Sequence, residues 1–234
     1  MSSRAPTAVI VAAAAVLTSC AVTVPGKPVA AATAGPPPPP VAAGDLEGLL
    51  LGQAEINAAM GATAMTVLET SNQMWDSSGE VSNIECLGAY GAAEYEVYTG
   101  SGWSAVRYSS MQEPGEEPPH FAEQAVVSFP SDDAAAKFYA DSGEKWGRCA
   151  NGRFSFKLPE WPAEAMWTVG PVSNSDGMLK TSMVMEGGGG WSCGRALTVG
   201  NNVVIDVSTC SYNNETGDIA VTIAQDIANK LPPS

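Results

Sequence analysis

One thiol stands apart from the other four. Cys20 closes the tetrapeptide Leu17-Thr18-Ser19-Cys20, at the end of an apolar run and ahead of a Pro-rich stretch. That is the pattern of a lipobox. Its chemistry is acylation of the cysteine with a diacylglyceryl group and cleavage before it, so that Cys20 becomes the first mature residue. Two or more acyl chains anchor a protein stably, where one is marginal. Arg4 supplies a positive n-region, and Ala8 to Leu17 an apolar h-region of about ten residues, in the range of signal peptides. Spanning a bilayer needs about 20. The expectation is a signal peptide over 1–19 and a domain held outside a membrane by lipid. A plain secretory signal cut elsewhere is the alternative.

The remaining thiols are Cys86, Cys149, Cys193 and Cys210. An even set in an exported domain reads as two disulfides, and four cysteines allow three connectivities. Alternation marks Trp191 to Val199 and Val203 to Cys210 as strands, joined through Gly200-Asn201-Asn202. A type I′ turn at Asn201-Asn202 sets Gly200 against Val203 and brings Cys193 opposite Cys210. A cross-strand bridge is expected there. Cys86 is left to pair with Cys149, closing a loop of about 60 residues and contributing a few kcal/mol. Zinc coordination is the rival chemistry. The chain has no CxxC and a single histidine, His120, which argues against a metal site.

Glu113, Glu116 and Glu117 cluster near His120. Such carboxylates could hydrolyse a glycoside with an acid/base pair or bind calcium weakly, and the plainer reading is a solvated acidic loop. No catalytic motif accompanies them. Gly102-Trp103-Ser104 lacks the second glycine of a nucleophile elbow, and no H-E-x-x-H or P-loop occurs. The run Gly187 to Gly190 lacks the lysine of a phosphate cradle. Neither a catalytic residue nor a cofactor is therefore assigned, and the chain reads as non-enzymatic. Five tryptophans, Trp103, Trp146, Trp161, Trp167 and Trp191, read as core packing or as the wall of a cleft for a glycan or lipid. Trp103, Arg107 and Arg195 are the candidate ligand-binding residues. A strand arginine can mark an anionic ligand. Pairing with Asp206 is the structural alternative.

Several elements must position these groups. Asp45 to Ala59 reads as one or two short helices, with Asp45 a candidate N-cap and Leu46, Leu49, Leu50, Ile56 and Met60 at helical spacing. Residues 70 to 85 are polar and turn-rich. Ala89 to Tyr98 reads as a short helix. Trp103 to Glu113 and His120 to Phe129 read as strands around the loop Glu113 to Pro119. Ser131 caps a helix running to about Trp146, with Asp132 and Asp133 favouring its N-terminal dipole. Strands are expected over Arg153 to Leu158, Met166 to Val172 and Met178 to Glu186. Ile219, Ile223, Ile227 and Leu231 space a last helix, which Pro232 stops. Strands outnumber helices and tight turns join many of them. The fold class is α+β, a largely antiparallel sheet packed with helices.

Residues 20–44 carry Lys27 as their one charge and five consecutive prolines, Pro36 to Pro40. They read as a polyproline spacer between the lipidated cysteine and a domain over 45–234. Without residues 1–19 the chain keeps 25 acidic and 10 basic residues, a net of about −15. That charge excludes a nucleic-acid footprint and a domain lying flat on anionic lipid. It leaves neutral or cationic partners: a small-molecule or envelope ligand, or a protein.

An ordered set of segments then resembles the PknH-like extracellular domain family, the sensor domains of mycobacterial serine/threonine kinases and their stand-alone lipoprotein relatives. The set is Leu50-Leu51 with Glu55-Ile56-Asn57; Cys86-Leu87-Gly88; Ser101-Gly102-Trp103; Ala134 through Phe138 leading to Trp146 and Cys149; and Cys193 with Cys210 before a C-terminal helix. It covers about 45–232. The resemblance implies a sandwich-like domain with two disulfides, paired as above, and a large cleft for a ligand. The chain carries no kinase domain, so the expectation is a lipid-anchored ligand-binding or sensor domain of the cell envelope. A module docking on an envelope protein or a sensor kinase is the second expectation, and a carboxylate hydrolase the third.

Overall fold

A computed structural model of the chain describes residues 38–157, 163–212 and 216–232. The expected signal peptide, Cys20, most of the spacer and Trp161 lie outside the described residues. Among the described residues nine strands form one sheet: β1 (Thr66–Ser71), β2 (Ala105–Gln112), β3 (His120–Ser128), β4 (Arg153–Phe156), β5 (Ala165–Val169), β6 (Ser173–Ser175), β7 (Met178–Met185), β8 (Ser192–Gly200) and β9 (Val203–Ser211). Their order is β1-β2-β3-β9-β8-β7-β5-β4, with β6 paired to β7. Every strand pair is antiparallel. The helices are α1 (Gln53–Met60), α2 (Leu87–Tyr90), α3 (Tyr95–Tyr98), α4 (Asp132–Cys149) and α5 (Thr216–Ala228). The fold is α+β.

Side chains alternate between the two sheet faces, and residues paired across strands share a face. Met111, Val126, Ile205 and Ala196 therefore meet α1 and α5 on one side, with Ile223 and Ile227 of α5 buried against them. Val106, Ala125, Val204 and Leu197 meet α2, α3 and α4 on the other. On α4, Ala135, Phe138, Ser142, Trp146 and Cys149 are buried at helical spacing, and the Ser131 hydroxyl accepts from Ala134 N at 3.2 Å. A third cluster forms around the disulfides, with Phe154, Phe156 and Trp167.

The register of β8 and β9 is the expected one: Gly200 faces Val203 and Cys193 faces Cys210. Both disulfides form, Cys193–Cys210 with Cα atoms 4.0 Å apart and Cys86–Cys149 at 5.3 Å. The turn differs from type I′, which needs positive φ at both central residues. Asn201 takes φ +51° and Asn202 does not. The Asn202 side chain is committed elsewhere: its oxygen accepts from Val41 N at 2.8 Å, and its amide donates to Phe129 O at 2.8 Å. Residues 38–44, counted with the spacer above, thus reach the hairpin turn.

Other elements depart from expectation. Ala89 to Tyr98 is not one helix. It breaks into α2 and α3 because residues 91–94 cross the sheet as a strap, with Ala93 at φ +55°. Two strands had no counterpart in the reading: β1, whose residues are nearly all exposed, and the three-residue β6. β6 and β7 join through Asp176-Gly177, both at positive φ, which is the type I′ turn that an Asp-Gly pair favours. Asp45 holds the N-cap position of a 3-10 turn over Leu46–Leu49 without a side-chain capping bond. Gly187, Gly189 and Gly190 all take positive φ, so the Gly run is a turn that needs glycine.

Candidate functional site

Three cross-strand rows on the α4 face build one end of the domain. Tyr108, Ala125, Asp206, Leu197 and Leu179 form the first. Ser110, Glu123, Ser208, Arg195 and Thr181 form the second. Gln112, Phe121, Cys210, Cys193 and Met183 form the third. Above the second and third rows lies a cavity of about 560 Å³. Its floor includes Glu123, Ser208, Phe121 and the Cys193–Cys210 bridge. Tyr90, Gly91 and Glu94 of the strap form one wall, and Phe156 and Trp167 another. Glu116 and Glu117 of the β2–β3 loop, with Trp191 and Tyr212, also line it.

The aromatic rings brace one another. Tyr90 stacks on Phe156 at 4.2 Å between centroids and meets Trp167 edge-on at 5.6 Å. Trp191 meets Tyr212 at 4.8 Å, and Trp75 meets Tyr108 at 5.8 Å. The Trp167 indole Nε1 is buried without a hydrogen-bond partner.

The strap is pinned by carboxylates. Asp206 accepts from Ala93 N at 3.1 Å and from Tyr98 Oη at 3.0 Å. Glu123 accepts from Ala92 N and Tyr108 Oη, each at 2.9 Å. Glu94, 4% exposed, accepts from Ser77 N at 3.0 Å and Ser77 Oγ at 2.8 Å. These bonds hold Ala93 in a conformation that costs a non-glycine residue free energy. Burial raises the Glu123 carboxyl from its ordinary value of 4.5 to about 7, against the opposing pull of Arg195. Burial also raises Glu94, and it raises the Tyr90 and Tyr108 hydroxyls, to which Glu123 adds.

Arg195 and Arg107 do not share a site. Arg195 is 1% exposed and donates to Asp206 Oδ1 at 2.6 Å and to the carbonyls of Gly88, Gly91 and Val207. Its guanidinium lies over the Trp146 ring at 5.2 Å. It is a structural arginine behind the cavity and does not line it: its two terminal nitrogens bond the buried Asp206 and three carbonyls, while its Nε is buried without a hydrogen-bond partner. Arg107 pairs with Val126, so it belongs to the α5 face and lines a separate depression there. Trp103 is half-buried against the α4-side core, and Trp146 is fully buried. Of the four tryptophans singled out above that are among the described residues, Trp167 and Trp191 reach the cavity, and Trp75 joins them. His120 Nδ1 and Glu113 Oε2 meet at 2.7 Å. His120 pairs with Ser211, on the face opposite Glu123, while Glu116 lines the cavity. His120 is not among the residues that line the cavity with Glu116.

Glu94, Glu123, Tyr90 and Tyr108 were not identified from sequence. One signal existed for Glu123: it stands between Phe121 and Ala125 in the apolar half of a strand's alternation. A charge at an inward position is a candidate site residue.

Fold and site together describe a disulfide-stapled α+β domain of the exported kind, with an aromatic and acidic cavity at one sheet end. The PknH-like extracellular domain family matches residues 41–230, and the chain belongs to that family. It is 35% identical over 189 residues to the serine/threonine-protein kinase PknH of Mycobacterium bovis, and equally to that of Mycobacterium tuberculosis. The match takes in 80% of this chain and 31% and 30% of those kinases, so it spans about three-tenths of their length. The crystal structure of the extracellular domain of PknH from Mycobacterium tuberculosis superposes with a TM-score of 0.78 at 35% identity. It covers 82% of this chain and 97% of that one. Family membership makes this an extracytoplasmic domain.

Proposed function

We propose that the chain is a lipid-anchored sensor or ligand-binding domain of the cell envelope, and that it binds without catalysing a reaction. The cavity carries this reading. It has the volume of a small-molecule site, rigid aromatic walls and a few placed polar groups. Cys20 in Leu17-Thr18-Ser19-Cys20 supplies the anchor. Native mass spectrometry of the full-length chain, purified from a mycobacterial host in mild detergent without reduction, tests both parts. The expected species starts at Cys20, carries acyl chains and retains a small-molecule adduct. A bare, unacylated mass would contradict the reading.

Docking on an envelope protein or a sensor kinase is the second reading. The edge strand β1 favours it, with Val67 and Leu68 49% and 57% exposed.

A further inference from the structure

This inference rests on the ligand-binding reading and gives the cavity a chemistry. We infer that the cavity takes a small organic cation, an amine or quaternary ammonium on an apolar body. Charge balance is the first ground. Asp206, Glu94 and Glu123 gather around one buried guanidinium, Arg195, whose carboxylate partner is Asp206. Glu94 and Glu123 are held by neutral donors alone: Ser77, Ala92 N and Tyr108 Oη. Carboxylates withdrawn from water either hold a proton or need a countercharge, and a bound cation would supply the second. No lysine, arginine or histidine is among the residues lining the cavity, and Glu116 and Glu117 deepen the deficit at its rim.

The walls are the second ground. Rings of Tyr90, Trp167, Trp191 and Trp75 line the same space. Aromatic faces attract cations, most strongly where water is excluded. The unpartnered Trp167 Nε1 is the third: it is a buried donor in the cavity wall with a place for an acceptor atom on the ligand. A metal ion fits less well, since among the described residues no three His, Cys, Asp or Glu groups converge as a metal needs. A neutral sugar would stack on the rings and leave the charge deficit standing. An anion would meet repulsion.

The test uses the full-length chain and three probes of similar size: benzyltrimethylammonium, benzyl alcohol and benzoate. Tryptophan fluorescence and titration calorimetry report binding. The cation is expected to bind at least about tenfold more tightly than the alcohol. Glu94→Gln and Glu123→Gln are each expected to weaken it about fivefold or more, and to weaken the alcohol by less than the cation. A wild-type pH series needs no variant. Tyr108 and Ser110 of β2, Ser208 of β9, Arg195 of β8, and Glu94 and Tyr90 from the strap side face Glu123. Affinity for the cation should rise as Glu123 ionises through about 7, and Glu94 acts in the same sense. Equal or tighter binding of alcohol or benzoate overturns the inference and leaves the ligand-binding reading standing. Silence from all three up to about 10 mM overturns it too. An adduct in the native mass spectrum would then still support ligand binding by other chemistry.

Discussion

Asp206 occupies the middle of an otherwise apolar row, between Ala125 and Leu197, and Arg195 stands in the next row. Breaking such a buried pair by removing one partner costs about 3–5 kcal/mol, because the survivor stays buried without compensation. Arg195→Met would strand Asp206 and the carbonyls of Gly88, Gly91 and Val207. Urea unfolding without reductant should show a loss of that order. Arg107→Met, which gives up one bond to Val106 O on the other face, should stay within about 0.5 kcal/mol. Equal effects from the two variants would contradict the assignment of Arg195 as the structural one. Glu123 makes a pH-dependent contribution of definite sign. Its carboxyl titrates near 4.5 ordinarily and at about 7 in the fold. Between those values the native state holds a proton that the unfolded chain has released, so stability falls as pH rises through the window. Glu94 is raised too and adds in the same direction. Melting temperatures from about pH 5 to 7.5 should fall less steeply in Glu123→Gln than in wild type. Parallel profiles would rule this out.

The strap between α2 and α3 is the element on which the cavity depends. The Cys86–Cys149 bridge ties the start of α2 to the end of α4 across 63 residues of sequence. Closing such a loop restricts the unfolded chain by roughly 4 kcal/mol in the chain-entropy account. The double variant Cys86→Ser, Cys149→Ser should lose about 2–5 kcal/mol and exchange the Ala92 and Ala93 amide protons faster. Unchanged exchange there would show that the carboxylates hold the strap without the bridge. At this scale the sequence was legible where signals were local. The turn at Asn201-Asn202 set the β8–β9 register and with it the opposed cysteines, and Ser131 with the apolar spacing up to Trp146 defined α4. β1 was not legible, because Thr66–Ser71 is exposed and shows no alternation to read. The break in the expected helix at residues 91–94 was hidden as well. Its cause is that the Ala92 and Ala93 N–H groups donate to Glu123 and Asp206, distant in sequence.

Across the whole molecule, the pairing of β3 with β9 decides where the site lies. It carries the chain's last strand back beside an early one, which no local pattern announces. That pairing places Glu123 beside Ser208 and Phe121 beside Cys210, and so makes the cavity floor. The expected disulfides, fold class and family were readable because each rests on motif or spacing. The cavity was not, because its residues come from β2, β3, β8, β9, the strap and the β4–β5 edge. Trp103, Arg107 and Arg195 were singled out by residue type, and none of them lines the cavity. The acidic surplus read from composition does find a local counterpart there, in Glu94, Glu116, Glu117 and Glu123.

The central claim is that this cavity, and not the exposed edge at β1, receives the ligand. Hydrogen–deuterium exchange of the full-length chain, with and without a small-molecule extract of the mycobacterial envelope, tests it most directly. The account predicts slowed exchange over residues 91–94, 116–123 and 208–212, with β1 unchanged. Protection confined to residues 66–71, or no change around the cavity, would contradict it.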